Sequence, residues 1–145
     1  MNGSSSEIDK SIKSILKNVL SVYELYIDKL KELKPTHILT QSQCEVCAVS
    51  EKNVEEALHT FTESKPKIIS LAPSSLRNIY NDIEYVAATF GIEEKGKWFL
   101  SSLEERAKNI EISARDAYRP RIGCIEWIEP LMAAGNWVPE LVELA

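Results

Sequence analysis

Apolar residues recur at helical spacing near the amino terminus, at Ile8, Ile12, Ile15, Leu16, Val19 and Leu20, and define the buried face of a first helix. Ser4 or Ser5 is placed to cap it, with Glu7 and Asp9 in a first turn that favours negative charge. Residues 21–27 fit two patterns, a short β segment or a continued helical stripe through Tyr23, Tyr26, Leu30 and Leu33, and the reading favours a break there. Helix resumes over 28–34 and ends at Pro35, which disfavours the α conformation of the residue before it. Residues 36–40, a short β-branched-rich run, predict a buried parallel strand. An amphipathic helix over 53–63 and a second strand over 67–71 follow, and the order strand, helix, strand implies a right-handed crossover.

The pattern then turns helical for a long interval. Ser74 and Ser75 introduce a helix carrying Leu76, Ile79, Tyr80, Ile83, Val86, Ala87 and Phe90, closed by Gly91, and a second helix is expected over 95–117. Behind Pro120, the apolar run 121–126 predicts a buried strand, 127–135 a loop, and Asn136 the N-cap of a last helix with Pro139 in its first turn. Large apolar groups in that loop stand at the carboxyl end of a strand, where open α/β sheets bind ligands. A strand that begins only after a long helical interval need not rejoin the first sheet and is free to open a second one. The expected fold is therefore α/β: parts of two small parallel-sheet lobes joined by a long helical connector and truncated at both ends. Its parts are the remainder of an amino-terminal lobe over 1–74, the connector over 75–118 and the start of a second lobe over 119–145.

Composition narrows the function classes. A chain of 145 residues with 44% hydrophobic and 27% charged residues has the makeup of an ordinary folded domain. Its formal net charge of −5 argues against a nucleic-acid partner, which calls for clustered Lys and Arg. Residues 1–6 lack the basic and apolar regions of a signal peptide, so the sequence as it stands predicts a cytoplasmic protein. Three cysteines leave at least one unpaired.

Two stretches carry a resemblance. Residues 34–41, KPTHILTQ, with 43–49, QCEVCAV, and residues 124–132, CIEWIEPLM, with 135–141, GNWVPEL, resemble the vitamin B12-binding branch of the substrate-binding proteins of ABC transporters, the helical-backbone (TroA-like) class. The resemblance covers nearly the whole chain as a central portion of that fold. It implies two α/β lobes joined by one long helix, a ligand held between the lobes by strand ends, and an ABC permease as partner. It further implies a corrinoid such as cobalamin, or another tetrapyrrole or metal chelate, as ligand, with transport rather than catalysis as the role. Family members open with an earlier strand and glycine-containing turn, continue beyond the last helix, and are usually exported. The ligand-binding candidates that follow are Tyr23, Gln41, Ser42, Gln43, Cys44, Trp127, Glu129, Leu131 and Met132.

Plainer readings stand beside these. On the residues alone, Trp127 and Trp137 read as core packing. The resemblance makes Trp127 a face on which a planar ring can stack, while Trp137, on a helix, stays structural. Cys44 and Cys47 form a C-x-x-C pair, which is half a zinc site or a redox dithiol, but His37, His59 and Cys124 stand at no recognised spacing to complete it. A thiol or zinc protein using that pair is one alternative. Glu126 and Glu129 flank Trp127 without a nucleophile or histidine near them in sequence, so acid–base catalysis is not expected. No metal site is expected elsewhere. A further alternative is a self-associating protein without a small ligand, because incomplete lobes leave sheet edges and apolar faces for a second copy to cover, and a homo-oligomer is the expected state.

Overall fold

A computed structural model describes residues 3–18, 25–42, 54–55 and 65–145. The chain divides into two compact units, Met1–Ala72 and Pro73–Ala145. It is mixed helix and strand, roughly α/β, with one small parallel and one small antiparallel sheet.

The first unit opens with α1 (Ser5–Asn18). Its start is a reciprocal cap: the Ser4 backbone N–H and hydroxyl donate to Glu7 Oε2 at 2.8 and 2.9 Å, and the Glu7 N–H donates back to Ser4 Oγ at 3.4 Å. Those donors hold the Glu7 carboxyl below its ordinary pKa. Ile8, Ile12 and Ile15 lie half-buried on one side, as the spacing requires. Most of the ambiguous stretch 21–27 lies outside the described residues; α2 (Ile27–Leu33) begins at its end. Lys34 closes α2 in the left-handed region, at φ 44°, because the proline that follows denies it the α conformation.

Strands β1 (His37–Gln41) and β2 (Lys67–Leu71) pair in parallel, with Leu39 opposite Ile69. The pairing continues past β1, where the Ser42 N–H donates to the Leu71 carbonyl at 3.0 Å. Ile69 is fully buried and Leu39 is 48% exposed, so of this pair β2 supplies the buried side chain. Of the helix expected over 53–63, Val54 and Glu55 are described; they are helical, and Val54 is buried.

The second unit begins with a helical hairpin. Helix α3 (Leu76–Thr89) starts at Ser75, whose Oγ accepts from the Asn78 N–H at 3.1 Å, as the sequence predicts. Gly91, at φ 65°, turns the chain, a conformation glycine adopts without steric cost. Helix α4 (Glu93–Ala114) then packs back along α3. The approach is close: a Cβ built on Gly96 would stand 2.5 Å from that of Ala87, and both residues are buried. The interval 75–118 is therefore a pair of helices folded on each other, where the resemblance implies one continuous connecting helix.

Within α3, the Asp82 Oδ2 atom is buried without a hydrogen-bond partner among the described residues. Desolvation raises its pKa. A carboxyl whose folded pKa is raised stabilises the fold fully below its unfolded pKa, and that contribution disappears as pH climbs through the folded value. Asp82→Asn is therefore expected to be more stable than the natural protein near neutral pH, with the difference shrinking as pH falls through the raised Asp82 pKa towards the ordinary carboxyl value of about 4. Urea titrations at several pH values check this, and a difference that stays constant with pH would contradict it.

After α4 the structure departs from the sequence reading. Residues 119–124 form no regular element. The strand expected over 121–126 is instead β3 (Ile125–Trp127), which pairs antiparallel with β4 (Met132–Ala133). It opens a second sheet, as anticipated, but a hairpin rather than the parallel sheet of a second lobe, and Ile122 and Ile125 are mostly exposed rather than buried. Within the run 121–126 Cys124 is half-buried and the other residues are exposed, so it lies at the surface rather than in a core. Helix α5 (Val138–Leu144) ends the unit. Asn136 does not cap it: its φ of 53° turns the chain into the helix, and Trp137 occupies the cap position without a side-chain bond.

Candidate functional site

The densest set of sequence-derived candidates falls on the β3–β4 hairpin. Ile125 stands opposite Ala133 and Trp127 opposite Met132, with an irregularity between the two pairs, and the Ala134 N–H extends the ladder to the Cys124 carbonyl at 2.9 Å. Residues 128–131 form the turn. The Trp127 indole N–H donates to the Glu129 carbonyl at 2.8 Å, which satisfies the ring's one donor locally and ties the half-buried indole to the turn. Around it Ile128 is 74% exposed, Leu131 71% and Met132 45%. Glu129 keeps its carboxylate in solvent while its carbonyl holds the indole. Trp127, Glu129, Leu131 and Met132 thus share one tip, a short apolar projection with an aromatic ring at its base.

The other candidates belong to the first unit. Gln41 is the last residue of β1 and half-buried; Ser42 follows it, exposed, with its backbone N–H bonded to β2. Tyr23, Gln43 and Cys44 lie outside the described residues, as do Cys47 and His59. His37, at the start of β1, has its Nδ1 3.0 Å from the Thr36 hydroxyl. Cys124 is a half-buried free thiol. Among the described residues no group of three or more His, Cys, Asp or Glu side chains is placed to hold a metal ion, and no helix is long and apolar enough to cross a membrane.

The turn through Gly135 and Asn136 brings α5 beside the hairpin, and an open groove of about 620 Å³ runs between them. Among the described residues Leu131 is the one ligand candidate on its lining; Ile122, Cys124, Ile125, Val138, Pro139 and Val142 supply its other walls. The sequence reading passed over these residues because 121–126 reads as a buried strand. The presence of Arg121 and Glu126 at the ends of so short an apolar run was the available sign that it lies near the surface.

Two longer-range contacts fix α5. The Glu140 carboxylate accepts from the Leu76 backbone N–H at 3.1 Å, supplying a second side-chain cap to the start of α3, where the helix dipole favours an anion. Arg119 donates to the Glu143 carbonyl at 3.3 Å near the end of α5. The groove's outer wall is therefore held near its start by the first turn of α3 and near its end by Arg119, in the irregular segment after α4.

No family model, curated protein or solved structure matches the chain.

Proposed function

We propose that this chain is a binding module for a corrinoid, or for another tetrapyrrole or metal chelate, of the kind that serves an ABC permease. The reading is one of binding without catalysis. Support comes from the hairpin tip: an indole held by its own turn, ringed by Ile128, Leu131 and Met132 that contribute little to the core and stay open to solvent. A flat macrocycle laid on that tip would remove apolar surface from water and gain aromatic stacking on Trp127. The residue composition of the tip is also what the resemblance of 124–132 implies, and Gln41 and Ser42, at the exit of β1, occupy the strand-end position where the resemblance implies ligand contact.

Titration of cobalamin and of haem into the protein tests it. Quenching of tryptophan fluorescence with a shift in the ligand's visible spectrum is expected, saturating in the micromolar range. Trp127→Ala should weaken the spectral shift at least tenfold in affinity, equivalent to about 1.4 kcal/mol, whereas Trp98→Phe, on an exposed side chain of α4, should leave it unchanged. Absence of any spectral change at 100-fold ligand excess would remove the proposal.

A further inference from the structure

The charged residues of the hairpin are all of one sign. Residues 122–145 hold Glu126, Glu129, Glu140 and Glu143 and no Lys, Arg or His, so most of the chain's formal charge of −5 arises in this stretch. Two of these carboxylates stand by the ring that the proposed ligand would meet. Glu126 directly precedes Trp127 in β3, and Glu129 is held beside the indole by its own backbone, whose carbonyl accepts the ring N–H at 2.8 Å. Both residues are exposed. Among the described residues no ion pair engages either of them: the pairs present join Lys13 to Asp9, Lys29 to Glu32, Lys31 to Asp28 and Lys97 to Glu94, each within one helix.

A flat ring stacked on Trp127 carries its peripheral groups out past the edge of the indole, towards these carboxylates. Like charges brought together there raise the energy of the complex and opposite charges lower it, the more so where the ring displaces water between them. The rest of the tip, Ile128, Leu131 and Met132, is apolar and offers no cation to meet an anionic substituent. We propose that Glu126 and Glu129 select the ligand by charge, so that the tip favours planar rings with an uncharged or cationic rim over rings whose rim bears carboxylates or sulfonates. This inference rests on the binding reading above and narrows it. Haem, which carries propionates, is then the weaker ligand beside a ring whose rim carries amides.

The test uses the whole chain and two porphyrins of opposite peripheral charge, one bearing N-methylpyridinium groups and one bearing sulfonatophenyl groups, read by the shift of each ring's visible absorption. At low ionic strength the cationic ring is expected to bind at least about tenfold more tightly, and the gap should close as salt is raised towards about 1 M, where screening acts within roughly 3 Å. That measurement needs no substitution. Trp127→Ala should weaken both rings. Glu126→Gln together with Glu129→Gln should narrow the gap at least about threefold, and it leaves the indole's bond in place because that bond uses the Glu129 carbonyl. Glu104→Gln together with Glu105→Gln, at exposed positions of α4, changes the net charge equally and should leave the gap nearly unaltered. Where Trp127→Ala still weakens binding, three results overturn this inference and leave the ligand reading standing: equal affinities for the two rings, preference for the anionic ring, or a gap narrowed as much by the α4 pair as by the hairpin pair. Binding of neither ring, or binding indifferent to Trp127→Ala, overturns the ligand reading and this inference with it.

Discussion

Gly96→Ala is expected to destabilise the second unit by roughly 1–2 kcal/mol, and Gly96→Leu by more than about 3 kcal/mol. In an exposed helix the glycine-to-alanine change would gain about 1 kcal/mol of helix propensity. Here the added methyl would stand 2.5 Å from the Ala87 Cβ, well inside van der Waals contact, so the two helices of the hairpin must separate. Ala87→Gly in the same chain removes the obstructing methyl, and the double variant is expected to recover most of the loss. A double-mutant cycle by urea denaturation measures this coupling directly. Gly96→Ala as stable as the natural protein would show that α3 and α4 do not approach as described. The effect should reach the groove as well, since α5 is anchored on the start of α3 and packs against α4.

The second large effect belongs to the first unit. Ile69 is fully buried in β2, and Ile69→Ala is expected to cost about 2–5 kcal/mol through lost burial and the cavity left behind, with Ile69→Val near 1 kcal/mol. Leu39 stands opposite it in the register but is 48% exposed, so Leu39→Ala should cost less than half as much. Chemical denaturation of the three variants compares them. Equal losses at the two positions would mean that β1 and β2 are buried alike.

Much of the local structure was legible because it is decided by near neighbours. The Ser4–Glu7 box, the Ser75 cap, the turn at Gly91 and the end of α2 before Pro35 each depend on residues within four positions of one another, and each formed where the sequence places it. The pairing of β1 with β2 followed from the order of elements, which leaves a parallel arrangement as the simple solution. The hairpin was not legible in the same way. Whether residues 121–126 form a buried strand depends on whether another layer covers them, and an apolar run of that length carries no information about the layer. Asn136 illustrates the same limit on a smaller scale: asparagine suits both an N-cap and a left-handed turn, and the close return of α5 beside the hairpin selected the turn. Of the candidate site, Trp127, Glu129, Leu131 and Met132 were brought to one tip because they are close in sequence, whereas the groove walls come from both sides of that tip and emerge only when α5 folds back.

The contact between Glu140 and Leu76 spans 64 positions of sequence and ties α5 to the opening turn of α3. During synthesis that turn is made early but must wait for Glu140 to leave the ribosome before this anion reaches it. Until then Ser75 is the side-chain acceptor serving its amides, and the leading end of α3 should fray more readily in a nascent chain than in the finished one.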